Sequence, residues 1–188
     1  MIAVLDACVL YPPALRDLLM WLAVVNAYEP RWSDEIHAEW IRNVLADRPD
    51  ITSAQLERTR RLMDAIDPGS LVSGFEARIP ALCLPDENDR HVLAAAIEAR
   101  ASVIVTFNLS DFPRGALSPH GVRALHPDAF LVSLIRHDPS RFVRGVGSHR
   151  ASLRNPPKSK DEYLASLRDL RLSSTARHLE AYRGATQP

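Results

Sequence analysis

Four carboxylates, Asp6, Glu39, Asp89 and Asp111, stand beside residues that set them apart from ordinary surface charge. Together they offer the oxygen donors that hard divalent cations such as Mg²⁺ or Mn²⁺ require, and without a cation they would repel one another and some would take up protons. Asp6 ends the wholly apolar run Ile2-Ala3-Val4-Leu5, which reads as a strand buried on both faces, as in a parallel sheet. Asp89 lies in a helical pattern over about 87–100, where a 100° step per residue puts it within about 40° of Leu93 and about 20° of Ala96. A carboxylate on that apolar stripe is costly unless a metal ion or the positive helix end compensates it. Glu39 lies one step before Trp40 and roughly 60° from Ile36, at the border of its helix's apolar stripe. Asp111, with Asn108, follows the second apolar run, Ser102-Val103-Ile104-Val105-Thr106.

Each of these residues also has an ordinary use. Asp6 fits a turn after its strand. Asp86 reads as the N-cap of the helix that follows, with Asp89 able to reach back from the third position as in a capping box. Border glutamates are commonly solvated, and Asn and Asp after a strand form turns through side-chain bonds to backbone.

Other chemistries fit less well. The chain has no Gly-rich phosphate loop, no Gly-x-Ser-x-Gly elbow and no Cys/His spacing for zinc. Asp6-Ala7-Cys8 lacks the second Asp of a phosphatase with an aspartyl nucleophile. His37, His91, His120, His126, His137, His149 and His178 are scattered and read as surface or satisfied core residues. Cys8 and Cys83 are the only cysteines; with no secretion signal in view they read as small buried hydrophobes.

The elements that must position the carboxylates follow from periodicity. After the first strand, Pro12-Pro13 leads into a helix over about 14–27 with Leu15, Leu18, Leu19, Leu22 and Val25 on one face. Ser33 caps a helix over about 34–47, and a third helix spans about 53–66. Leu71-Val72-Ser73 is a short strand, Ile79–Pro85 a connector, and the strand at 102–106 follows the helix that starts near Asp86. Val122–Leu125 is an edge strand. Residues 127–137 and about 140–152 read as helices, the second weakened by Gly145 and Gly147. After the break at Asn155-Pro156-Pro157, 160–171 and 173–183 are amphipathic, the second with a cap at Ser173 or Ser174. Strands alternating with helices give an α/β fold followed by a helical extension. Ligand sites in such sheets lie beyond the strand carboxyl ends, the edge that Asp6 and Thr106 mark.

A chain of 188 residues makes about one domain with a surplus, taking roughly 150 residues per domain. Hydrophobic residues at 46% and charged residues at 24% exclude a disordered or disulfide-stapled chain. No apolar run approaches the roughly 18 residues of a membrane span, and the opening residues lack a signal-peptide pattern, so a cytoplasmic, membrane-free protein is expected. Charge is uneven: residues 1–135 carry 12 basic and 18 acidic residues, residues 136–188 carry 11 and 5. The basic tail suits either a solvated face or a polyanion such as nucleic acid.

These residues resemble, in order along the chain, a PIN-domain ribonuclease, more narrowly a toxin of the VapC type. The likeness lies in Val4-Leu5-Asp6-Ala7, in Glu39 within Ser33-Asp34-Glu35-Ile36-His37-Ala38-Glu39-Trp40, in Asp89-Arg90-His91-Val92-Leu93-Ala94-Ala95-Ala96, and in Thr106-Phe107-Asn108-Leu109-Ser110-Asp111-Phe112-Pro113. Many family members carry Asp where this chain has Asn108, so the fourth acidic role falls to Asp111. The resemblance implies a three-layer fold with a central parallel sheet flanked by helices, as a nuclease domain over 1–135 with a helical extension over 136–188. It also implies metal-dependent hydrolysis of RNA phosphodiesters, with one or two Mg²⁺ or Mn²⁺ ions held by Asp6, Glu39, Asp89 and Asp111. Thr106, Asn108 and Asp86 would orient ligands or water from behind them, and Arg90, Arg114 and the basic tail would meet the RNA backbone. A small antitoxin covering the cleft and a homodimer are implied as well. Two alternatives stand beside this reading: a PIN-like nuclease acting in RNA processing or on DNA, and a non-catalytic module that binds RNA or protein.

Overall fold

Ten α-helices, three short 3-10 helices and four strands are present among residues 1–182, the part of the chain that the computed structural model describes; the α-helices and strands carry the labels that follow. In chain order they are β1 (Ile2–Leu5), α1 (Ala7–Leu10), α2 (Pro13–Val24), β2 (Glu29–Arg31), α3 (Asp34–Asp47), α4 (Ser53–Asp64), α5 (Arg90–Glu98), β3 (Val103–Val105), α6 (Arg114–Leu117), β4 (Arg123–Leu125), α7 (Pro127–His137), α8 (Pro139–Ser152), α9 (Lys160–Asp169) and α10 (Ser173–Ala181). Residue 183, the expected end of the last helix, lies outside the described residues. No helix among them is long and apolar enough to cross a membrane.

Among the described residues the chain forms two compact units, one of residues 1–13 and 29–126, the other of residues 14–28 and 127–182. The linear division after residue 135 read from the sequence differs from this one, because α2 packs among the C-terminal helices.

In the first unit the four strands are all parallel, in the order β2-β1-β3-β4. The central strands are apolar throughout because both their faces are covered: Ala3, Val4, Leu5, Val103, Ile104 and Val105 are fully buried. α5 packs on β1 and β3, and its run Ala94, Ala95 and Ala96 is buried. α3 packs on α1 and α4. Ser33 caps α3 as expected, its hydroxyl accepting from the Ile36 amide at 3.2 Å. Thr52 and Gln55 cap α4 reciprocally.

Three expectations change in this unit. The short β2 was not legible, because Pro30 is confined to edge strands and Glu29 gives no apolar pattern. Leu71 forms only an isolated bridge with Trp32. The helix expected over 87–100 opens instead as a 3-10 turn, Glu87–Asp89, and becomes α-helical at Arg90. Asp89 therefore sits at the junction and not on an α-helical stripe.

The second unit is built by α2 with α7–α10. Gly145 does not break α8; it lets α2 approach, since a Cβ there would lie 2.9 Å from Leu22 Cδ2 and 3.0 Å from Val25 Cγ2. His149 of α8 is buried, 2.8 Å from the Tyr163 hydroxyl of α9 and 3.3 Å from Asp17 Oδ2 of α2. The cap expected at Ser173 or Ser174 is supplied from elsewhere. Asp128 of α7 accepts the amides of Ser174 at 2.9 Å and Thr175 at 2.7 Å, and the Thr175 hydroxyl at 2.7 Å.

Candidate active site

β1 is the strand at which the sheet order turns. The chain leaves it to form β2 on one side and returns to form β3 on the other, which opens a crevice beyond the carboxyl ends of β1 and β3. Asp6 and Thr106 are the first residues past those two ends. The Asp6 amide donates to the Val105 carbonyl at 3.1 Å, carrying the pairing one step beyond the strands.

Asp6 is only 3% exposed and Thr106 is fully buried. The Thr106 hydroxyl donates to Asp6 Oδ2 at 2.6 Å and accepts the Asn108 amide at 2.9 Å. Cys8 Sγ donates to the same carboxylate oxygen at 3.1 Å and accepts the Phe107 amide at 3.2 Å. Burial raises the Asp6 carboxyl above its ordinary range and Glu39 adds to this, outweighing the hydrogen bonds from Thr106 and Cys8. Burial and the Asp6 charge push the Cys8 thiol up to about 12, which keeps the proton it donates to Asp6.

Asp89 is half-buried, and its carboxyl is pushed up to about 7, first by burial and then by the charges of Asp6, Asp86, Asp111 and Glu39. The chosen carboxylates, from four separate segments, thus lie within electrostatic reach of Asp89. Asp86 is exposed and its Oδ1 accepts the Asn88 amide at 2.9 Å, the capping use expected of it. Asp111 and Asn108 share a turn: the Asp111 amide donates to the Asn108 carbonyl at 3.1 Å, and the Ser110 hydroxyl donates to Asp111 Oδ1 at 3.2 Å.

Glu39 is placed by an anchored stretch of α3. Trp40 Nε1 donates to His37 Nδ1 at 2.9 Å, which leaves the proton on His37 Nε2 facing Asp64 Oδ1 at 3.1 Å; Trp32 Nε1 donates to the same oxygen at 2.8 Å. Burial holds His37 below the ordinary histidine range in spite of Asp64. Glu39 Oε2 also lies 3.8 Å from His91 Nε2. Of the arginines proposed for RNA, Arg90 is engaged by Glu87 at 2.5 Å and Arg114 is exposed at the start of α6.

Sequence reading missed two neighbours of the carboxylates, Cys8 and His91. Cys8 is only partly buried and Cys83 is exposed, so the expectation of two buried thiols is corrected. The available signal for Cys8 was its place two residues after Asp6, in the turn that leaves β1.

Among the described residues no group of three or more His, Cys, Asp or Glu side chains is set to hold a metal ion. The donor chemistry nevertheless fits a hard divalent cation: the donors are carboxylate oxygens, and every leading influence on Asp89 disfavours its ionised form, the imbalance that a cation would remove.

Sheet order, strand-end carboxylates and sequence likeness define one class. The PIN domain pattern matches residues 3–110, more than half the chain, and the chain belongs to the PIN domain family. The VapC50 C-terminal domain pattern matches residues 127–181, giving the two-part arrangement of the VapC type. The chain is similar to a protein of Mycobacterium tuberculosis (strain ATCC 25618 / H37Rv) described as "Putative ribonuclease VapC50", 64% identical over 44 residues, which cover 23% of this chain and 26% of that protein. No solved structure matches.

Proposed function

We propose that the chain is a metal-dependent endoribonuclease that hydrolyses RNA phosphodiester bonds as the toxin of a VapBC-type toxin–antitoxin pair. One observation carries this reading: Asp6 is fixed to Thr106 at the β1/β3 crevice, with Glu39, Asp111 and Asp86 all acting on Asp89 beside it. Asp6, Glu39, Asp89 and Asp111 would hold one or two Mg²⁺ or Mn²⁺ ions. When bound, such a cation neutralises charge on the phosphate and makes a water more acidic. Thr106 fixes one oxygen of Asp6, and the Asn108 amide fixes Thr106 in turn, so the central carboxylate is held before substrate arrives. Asp89, its carboxyl pushed up by burial and its acidic neighbours, would join the donor set as the carboxylate. Asp86 holds the turn that presents Asp89. Arg114, Arg90 and the basic tail would meet the RNA backbone, which an acidic crevice otherwise repels.

The nuclease activity belongs to the PIN domain, and the helical C-terminal part extends it. A small antitoxin, a homodimer and the cytoplasm complete the proposal. The second reading, a non-catalytic RNA- or protein-binding module, is favoured by the open arrangement of the carboxylates and by asparagine at position 108.

The test is incubation of the antitoxin-free protein with labelled single-stranded RNA and Mg²⁺ or Mn²⁺, with EDTA and Asp89→Asn in parallel. Cleavage lost in both controls supports the nuclease. RNA binding that survives EDTA, with no cleavage under any metal condition, supports the module.

A further inference from the structure

We propose that a groove beside the carboxylates seats one base of the RNA and selects guanine; this rests on the ribonuclease reading. The groove has a volume of about 350 Å³ and is lined by Cys8, Tyr11, Asn43, Ala46 and Asp47, within the range of roughly 300–1,000 Å³ typical of small-molecule sites. Two features tie it to the proposed centre. Cys8 is hydrogen-bonded to Asp6. Asn43 and Asp47 follow Glu39 at four-residue steps on α3, so the three side chains share one helix face. A base seated in the groove therefore neighbours a phosphate at the carboxylates.

The lining chemistry selects among the bases. The Tyr11 hydroxyl donates to Asp47 Oδ2 at 2.7 Å, which fixes the ring as a wall against which a base can stack. That bond spends the Tyr11 proton and leaves Asp47 Oδ1 outside it. The Cys8 thiol is likewise spent on Asp6. The groove thus offers the Asp47 carboxylate, the Tyr11 oxygen and the Asn43 carbonyl as acceptors, against the Asn43 amide group as donor. Guanine presents adjacent donors, N1–H and the N2 amino group, and suits a carboxylate. Uracil presents one donor between two carbonyls and sets an acceptor against Asp47. The same carboxylate repels a phosphate, so the occupant is a base and not the backbone.

The test uses the full chain in Mg²⁺, titrated with guanosine 5′-monophosphate and with uridine 5′-monophosphate while NMR follows the Asn43 side-chain amide and the Tyr11 ring. Cleavage of single-stranded oligoribonucleotides that differ only in G or U next to the cut is measured beside it. Guanosine monophosphate is expected to shift both reporters at about tenfold lower concentration than the uridine nucleotide, the discrimination of a site built to hydrogen-bond its ligand. Asp47→Asn, which keeps the shape and an acceptor for Tyr11, should equalise the two nucleotides. Asn43→Ala, on the exposed face of α3, should weaken both. Shifts that ignore base identity, or a guanine preference that survives Asp47→Asn, overturn the proposal. Guanine-selective shifts without cleavage of any RNA would leave the groove standing and remove the nuclease reading; cleavage with no base preference would do the reverse.

Discussion

Asp128 and Asp89 are two aspartates near helix starts, and the chain treats them in opposite ways. In the second unit Asp128 faces the first turn of α10. Burial works against its charge, but the hydroxyl and amide of Thr175 and the amide of Ser174 outweigh burial and hold its carboxyl below the ordinary range. In the first unit Asp89 starts α5 without a side-chain cap bond, and burial and four like charges push it up to about 7. The first arrangement contributes to folding: orphan amides of a helix end are satisfied by a carboxylate that stays ionised. The second opposes folding in the absence of a cation, a local conflict of the kind that functional sites carry.

The sharpest way to break this comparison is to neutralise each carboxylate in turn. Asp89→Asn should lower RNA cleavage on the order of 10²–10³-fold, the scale of losing one preorganised electrostatic group. In metal-free buffer the same variant should unfold at a slightly higher temperature than the parent, because repulsion is relieved; a lower melting temperature would make Asp89 a structural residue. Thr106→Val, which removes the donor to Asp6 with little change of shape, should cost about tenfold to a hundredfold in cleavage and leave most of the stability intact. Equal cleavage would mean that Asp6 needs no fixing. Asp128→Ala should cost about 1–2 kcal/mol in urea unfolding and leave cleavage unchanged well below the melting temperature. The smallest effect is its pH dependence. Because the folded Asp128 carboxyl lies below its unfolded value, its stabilisation is full above about pH 4 and is lost as pH falls through the folded value. The stability gap between parent and Asp128→Ala should therefore close in acid; a gap that widened there would contradict the sign.

The same contrast explains what could be read in advance. β1, β3 and the strand-end position of Asp6 were legible because strands buried on both faces leave uninterrupted apolar runs. The helices from Pro127 onward were legible from their 3.6-residue period. What escaped depends on contacts between residues far apart in sequence. β2 forms because Glu29–Arg31 reach the open edge of β1, which no local pattern encodes. Asp128 caps a helix 46 residues away, displacing the serines that local capping rules favour. α2 joins the C-terminal helices partly because Gly145 admits Leu22, so a glycine that reads as a helix weakness serves packing. The four candidate carboxylates could be picked out one by one by their places along the chain, but the position of Asp89 was derived from an α-helical stripe that the 3-10 turn replaces. Its functional reading now rests on the neighbouring carboxylates.

The most direct measurement is the binding of Mn²⁺ by electron paramagnetic resonance to the parent, Asp89→Asn and Asp128→Ala proteins. A cation centre at the β1/β3 crevice predicts one or two sites in the parent, affinity at least about tenfold weaker in Asp89→Asn and none of that loss in Asp128→Ala. Equal binding by all three proteins, or none by the parent, would contradict it.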